Sequence, residues 1–340
     1  RIECRRQRQM CIRDRYQDNI MEEEFLNQKY NSDEIENKFR YEHTSRYKKG
    51  LKVNYGANLE YAKFYAKNFS KIFVLDQPIT LDNISSFDMF KWGVFGQVSK
   101  DLLEDRLVLS FGLRADANNY NDNMSNLLNQ FSPRISASYL LTTGWYLNFN
   151  MGRFYQEPSY TTRGFKNDEG VMANRDRLKY IRADHFVAGL EWLPGRESKI
   201  SVEGFYKKYN NYPFSLVDSV SLASLGADFG IYGDVPAEST GEGRAYGVEF
   251  LYRHRDLFGS NLTVSYTLVR SETIPEREAL KELNWIPTTW DNIHLLNIYG
   301  FREFKSNWQL GFKSVSYTHL RAHETERLIS YAVFCLKRGG

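Results

Sequence analysis

Apolar residues fall at every second position over long stretches of this chain. The clearest case is the hairpin at 243–271. In its first arm Tyr246, Val248, Phe250 and Tyr252 alternate with Gly247, Glu249, Leu251 and Arg253. In its second arm Leu262, Val264, Tyr266 and Leu268 alternate with Thr263, Ser265 and Thr267. Strand side chains point to opposite faces with period two, so each arm has one apolar, aromatic-rich face and one mostly polar face. The same pattern predicts further strands at 37–47, 51–65, 88–100, 106–117, 131–141, 144–154, 181–193, 198–210, 289–301 and 306–313, about twelve in six hairpins. Acidic, irregular residues 16–35 read as an exposed loop.

Connection lengths carry the second signal. Short turns fall at 48–50, 101–105, 142–143, 194–197, 255–259 and 302–305. Long polar connections fall between the hairpins at 66–87, 118–130, 155–180, 211–242 and 272–288. Greek-key sandwiches mix their connection lengths. Strict short and long alternation follows from an up-and-down membrane barrel with short periplasmic turns and long extracellular loops. The expected fold is therefore all-β: an antiparallel up-and-down transmembrane β-barrel, present in part, with a soluble all-β domain as the alternative.

Composition agrees. Mean hydropathy is −0.55, and no run of 18 or more apolar residues occurs, which excludes a membrane-spanning helix but not a barrel, whose strands are apolar only at alternate positions. Aromatics make up 15% of the chain, with 23 Tyr and 23 Phe, in line with a lipid face and two interfacial girdles. The first 30 residues are charged and lack the apolar core of a secretory signal, so the true start is expected to lie upstream.

The two ends read differently from the middle. Residues 5–15, 315–325 and 329–336 resemble translated sequencing-library adapters, and the closing Lys-Arg-Gly-Gly fits homopolymer runs. Residues 1–15 and 315–340 are accordingly expected to be non-native and to pack against nothing, with 16–314 as the barrel piece. The whole chain has a formal net charge of +3; the first segment carries net +4 and the last net +2, which leaves −3 for residues 16–314. The basic balance thus belongs to the ends, and a nucleic-acid partner is not expected. Cys4, Cys11 and Cys335 also lie there, so the middle holds no disulfide framework or cysteine-based metal site.

Candidate chemistry is sparse. His43, His254 and His294 are scattered, so no metal is expected. Asp184-His185 suggests acid/base work, but both lie in a strand and no nucleophile can be paired with them; neither an enzyme nor a cofactor is expected. Arg114, Glu203, Lys207, Glu249 and Arg253 fall on the polar, lumen-facing side of their strands, where they either pair with one another or line a path. Arg153, Tyr155, Gln156, Tyr160 and Arg163 sit where a strand enters a long loop, and Arg and Tyr suit anionic or sugar-like ligands.

The string Gly-Arg-Ala-Tyr-Gly-Val-Glu-Phe at 243–250 resembles a strand opening that recurs in TonB-dependent outer-membrane receptors, especially those of Bacteroidota. Phe131-Ser-Pro-Arg-Ile-Ser, Gly152-Arg-Phe-Tyr-Gln-Glu-Pro, Ala183-Asp-His-Phe-Val-Ala-Gly-Leu-Glu and Trp290-Asp-Asn-Ile-His-Leu-Leu-Asn resemble the same family. The similarity covers most of 37–313. It implies a larger barrel of about 22 strands with a plugged lumen, of which this chain is an internal piece. It also implies a place in the cell outer membrane of a Gram-negative bacterium, in contact with outer-membrane lipid. The implied function is active uptake of a scarce extracellular solute (a siderophore, cofactor or oligosaccharide). The implied partners are the protein's own plug domain and the TonB energy-transducing complex, engaged through a missing N-terminal part. A passive porin and, more distantly, an outer-membrane barrel enzyme are the alternatives.

Overall fold

The computed structural model describes residues 3–22, 27–74, 77–167, 169–217, 219–224, 235–274, 285–304, 308–319 and 327–338. They form one antiparallel sheet of fifteen strands. In chain order these are β1 Glu3–Glu22, β2 Asn27–Arg46, β3 Leu51–Val74, β4 Gln77–Leu102, β5 Leu107–Asn118, β6 Phe131–Thr142, β7 Trp145–Gln156, β8 Ile181–Trp192, β9 Ser198–Ser215, β10 Ala237–Leu257, β11 Ser260–Thr273, β12 Ile286–Pro287, β13 His294–Phe304, β14 Trp308–His319 and β15 Arg327–Arg338. Each strand pairs with its sequence neighbours, except that the two-residue β12 hangs on β11 and lets β13 pair with β11 directly. Among the described residues β1 and β15 do not pair, so the sheet is an open, partial barrel. Among the described residues no helix is long and apolar enough to cross a membrane.

The register confirms the two-faced wall. Trp145, Trp192, Ile200, Tyr252 and Val264 follow one another across β7 to β11 in a single row. Leu147, Leu190, Val202, Phe250 and Tyr266 form the next row, on the same face. Leu147, Val202, Val248 and Phe149 remain 42–47% exposed, an arrangement that water disfavours and lipid accepts. Trp145 and Trp192 stack with centroids 5.1 Å apart at the short-turn end, as an interfacial girdle does. Two of the short turns use adjacent left-handed residues, Lys49-Gly50 (φ 63° and 68°) and Phe258-Gly259 (φ 52° and 76°). That geometry matches the twist of the strands they join.

Four expectations change. Residues 66–87 are not a long loop: β3 and β4 run on as a paired ladder to Val74 and Gln77. Residues 16–35 are not a loop either, since β1 and β2 run through most of them. The connection 211–242 is shorter than expected, because β9 extends to Ser215 and β10 begins at Ala237. Finally, the ends do join the sheet at the backbone level, with β1 paired to β2 and β15 to β14. Backbone pairing needs no particular side-chain pattern, which is why segments without a period-two face still take up strand positions. Parts of the turn at 302–305 and of the loops 211–242 and 272–288 lie outside the described residues.

The extension of β3 and β4 has a sequence cause. Up to Tyr61 the apolar residues of β3 sit at odd positions on the lipid face. From Ala62 onward Ala62, Phe64 and Ala66 are buried on the opposite, inward face, and Lys63 and Lys67 point out. In β4 the same inversion separates Trp92 and Phe90 from the inward Met89 and Phe87. The hairpin therefore stands clear of the bilayer with its apolar side turned into the barrel mouth.

Candidate functional site

That inward apolar face is covered by the loops between β5 and β6 and between β7 and β8. The first contributes Tyr120 and Met124, the second Leu178 and Tyr180, and together with Ala62, Phe64, Ala66, Phe87 and Met89 they make one buried cluster. Within 118–130, α1 Asp122–Ser125 is capped by Asn121, whose side chain accepts from the Met124 amide. In the second loop, α2 Tyr160–Gly164 is capped by Ser159 and lies on β4. Ser85 Oγ donates to the Gly164 carbonyl at 2.6 Å, and the Tyr160 ring stacks on Phe64 at 5.5 Å.

A charged group is sealed inside this rim. Glu157 Oε2 lies 3.0 Å from Arg163 Nη1 and 2.9 Å from Lys91 Nζ, and Glu157 Oε1 accepts from Asn118 Nδ2 at 2.7 Å. Lys91 also donates to Glu60 Oε1 at 2.7 Å and to the Tyr160 hydroxyl at 3.0 Å, while Tyr160 donates to Glu36 Oε1 at 2.6 Å. Arg163 is 2% exposed, and its guanidinium also lies over the Tyr160 ring at 4.6 Å. Burial raises the Glu157 pKa, but Arg163 and Lys91 outweigh it and hold this carboxyl down at about 2. Burial pushes the Tyr160 phenol up to about 12. The network binds β2, β3, β4 and the β7–β8 loop into one rigid rim.

The five rim residues expected from sequence therefore divide. Arg163 and Tyr160 are internal braces. Tyr155 is half-buried, edge-on to Tyr180 at 6.5 Å, and Gln156 is exposed. Arg153 pairs with Asp184 at 2.7 Å. Strand alternation puts that pair on the outer face, one step beyond the row of Met151, Phe186, Tyr206 and Tyr246.

Pleating also separates Asp184 from His185. Asp184 points outward to Arg153 and Arg182, whereas His185 points inward and meets Phe154 at 4.5 Å and Tyr209 at 6.4 Å. Adjacent in sequence, the two cannot work as a dyad. His185 belongs to an inward row that sequence reasoning did not assemble, Arg134, Gly152, His185 and Lys207 on β6 to β9. Gly152 leaves the space that the Phe154 ring and the Arg134 stem use, since a Cβ there would lie 3.1 Å from each. Arg134 lies over Phe154 at 4.2 Å. The cross-strand order of Gly152 was the signal for this row, but it needs the register to be read.

Arg114, Glu203, Lys207, Glu249 and Arg253 sit on the face of the sheet opposite the apolar rows, and among the described residues they form no ion pair with one another. Arg114 pairs with Asp116 at 2.5 Å and reaches Asn58 at 3.0 Å. Lys207 lies over the Phe205 ring at 5.0 Å, and Arg253 faces Lys199 across the ladder. Glu203 and Glu249 stand directly opposite each other, which is unfavourable unless water or a cation lies between them. Among the described residues no group of His, Cys, Asp and Glu is placed to hold a metal.

Solved structures share this architecture. The copper transporter OprC matches with TM-score 0.60 and 14% identity over 91% of this chain and 48% of its own. The ferric yersiniabactin uptake receptor FyuA from Yersinia pestis matches with TM-score 0.62 and 11% identity over 98% of this chain and 50% of its own. The ferripyoverdine receptor of the outer membrane of Pseudomonas aeruginosa, bound to ferripyoverdine, matches with TM-score 0.62 and 11% identity over 98% and 47%. At these identities the likeness is one of fold, and the chain spans about half the length of each. No curated protein matches the sequence. The family model for the TonB dependent receptor-like β-barrel matches residues 8–333; the chain belongs to that family of outer-membrane barrels.

Proposed function

We propose that the protein takes part in energy-coupled uptake of a scarce solute across the outer membrane, and that the solute enters at the rim bearing the β5–β6 and β7–β8 loops. Family membership supports the transport class, and the preformed rim supports the place of entry. The observation that carries the reading is the inward row of Arg134, His185 and Lys207 below that rim. It is cationic, aromatic-backed by Phe154 and Tyr209, and without a carboxylate partner at Arg134 or Lys207 among the described residues. Guanidinium and ammonium groups on a rigid wall suit an anionic solute such as a ferric chelate. In this reading Tyr160 and Arg163 brace the mouth, Gln156 and Tyr155 stand nearest the solute, and Arg153, held by Asp184 on the outer face, takes no part in binding. Glu203 and Glu249 lie deeper, where they would face a cationic surface of a plug domain, and the TonB complex would supply the energy through that domain.

The test is uptake of a labelled anionic ferric siderophore by cells carrying the full-length protein. Uptake should stop when the proton-motive force is collapsed. Arg134→Gln with Lys207→Gln should lower it about tenfold or more, two lost charge-assisted contacts. Arg196→Ala in the opposite, short turn should leave it unchanged. Uptake that persists without the proton-motive force, as diffusion through a porin does, would overturn the proposal.

A further inference from the structure

The polar face of the sheet, opposite the apolar rows, is banded in charge from the loop rim to the short turns. Its upper band is the cationic row of Arg134, His185 and Lys207. Four positions back along β9 from Lys207, about 13 Å at the rise of a strand, Glu203 stands opposite Glu249. Four positions further back the charge reverses again, close to the short turns. That lowest row reads Lys199, Arg253, Thr263, Tyr299 and Lys313 across β9, β10, β11, β13 and β14.

The lowest row is only partly neutralised by its neighbours. Lys199 is paired with Glu191 at 2.6 Å. Arg253 and Lys313 are exposed and form no ion pair among the described residues. A wall that is merely hydrated can pair its charges, as Lys199 with Glu191 and Arg114 with Asp116 do on this same face. The Tyr299 ring is 46% exposed, although it lies on the face turned away from the apolar rows. Beside it is a recess of about 580 Å³, lined by Ser265, Asn297, Tyr299, Gly311 and Lys313. Gly311 makes the room, since it stands opposite Phe301 in the ladder and has no side chain to fill the space. The recess thus offers a hydroxyl, an amide, an ammonium and an aromatic face. Arg253 stands two strands from Tyr299 in the same row, about 10 Å away.

We propose that this recess is a second station for an anionic solute, at the short-turn end of the wall. Its anionic groups meet Arg253 and Lys313, a flat part of it lies on the Tyr299 ring, and Asn297 and Ser265 hydrogen-bond to it. Glu203 and Glu249 separate the two stations. An anion does not slide along the wall past two facing carboxylates, so it passes only when a cationic surface covers them. The upper row then captures the solute and the lower recess receives it on the far side of that barrier. The inference rests on the uptake reading above and adds a site at the other end of the path.

The experiment is calorimetric titration of the detergent-solubilised full-length protein with pyrene tetrasulfonate, a flat tetra-anion. The wild type should bind two equivalents. Arg253→Gln with Lys313→Gln should bind one, Arg134→Gln with Lys207→Gln should bind one, and the fourfold variant none. Tyr299→Leu removes the ring without touching a charge and should weaken one of the two sites about fivefold. Two equivalents retained by the Arg253 and Lys313 variant, an unaltered titration of Tyr299→Leu, or a single wild-type equivalent removed only with Arg134 and Lys207, would overturn this inference and leave the uptake reading standing. Sites lost only with Arg253 and Lys313 would instead remove the support for the upper row and keep the lower station.

Discussion

Replacing Glu157 by Gln tests whether the rim is held by its buried charges. The amide keeps the shape of the side chain and the hydrogen bond from Asn118, but it leaves the Arg163 guanidinium, 2% exposed, without its counter-charge. Lys91 keeps Glu60, so the loss falls on the β7–β8 loop. Two routes give its size. Removing one partner of a buried pair costs about 3–5 kcal/mol. Lowering a carboxyl from 4.5 to about 2 corresponds to about 3 kcal/mol of folded-state preference for the ionised form. An opening equilibrium easier by that amount should speed amide exchange in 157–180 by roughly a hundredfold, while the amides of β7 to β9 keep their protection. Because the folded-state value is depressed, this contribution is fully present above about pH 4.5 and is lost as the pH falls toward about 2. Wild-type protein should therefore loosen in this loop on acidification, and Glu157→Gln should show little further change. Unchanged exchange in the variant, or a wild-type loop that loosens as pH rises, would refute the reasoning.

The face assignment gives a second prediction. Lysine in place of Phe149 or Val248, on the lipid face near mid-wall, should cost about 2–4 kcal/mol in a vesicle folding titration, whereas lysine for Asn148 or Ser110 on the inner face should be tolerated; equal sensitivity would sink the two-faced wall. The ends give a third. Residues 1–15 and 315–340 are proposed to be ligated sequence, so amplification across the source locus should replace these codons with others, and recovering them unchanged from genomic DNA would end that reading.

Most of the wall was legible in the sequence because a barrel strand advertises its lipid face at every second residue. The alternation within each strand needed only counting, while joining it into the rows from Trp145 to Val264 and from Leu147 to Tyr266 needed the register. The failure at 66–87 came from following one parity too far. At Tyr61 the apolar positions change sides, and a pattern that breaks its own period looks like a loop. In fact the inversion marks the point where lipid gives way to a protein-filled mouth, so Ala62, Phe64 and Ala66 face in and Lys63 and Lys67 face out. Loss of one face's periodicity does not end a strand when the other face takes it up.

The rim was less legible for a different reason. Glu36, Glu60, Lys91, Glu157 and Arg163 come from four separate segments, and each alone reads as a solvated charge. Only the folded loop brings Tyr160 within 2.6 Å of Glu36, 124 positions away. Arg153 and Arg163 are ten positions apart, and from sequence both belong to one loop mouth. The pleat sends the first to the outer face, and the α2 turn buries the second. On the uptake reading proposed above, Arg163 and Glu157 are unsuited to choosing a solute, because altering either releases the loop before it alters a contact. The brace leaves free Gln156, Asn167, Glu169 and Val171, all exposed from the end of β7 along the same loop, and the proposal places any selectivity there. The buried charges keep the mouth in one shape, and the exposed residues can then differ at little cost to the fold.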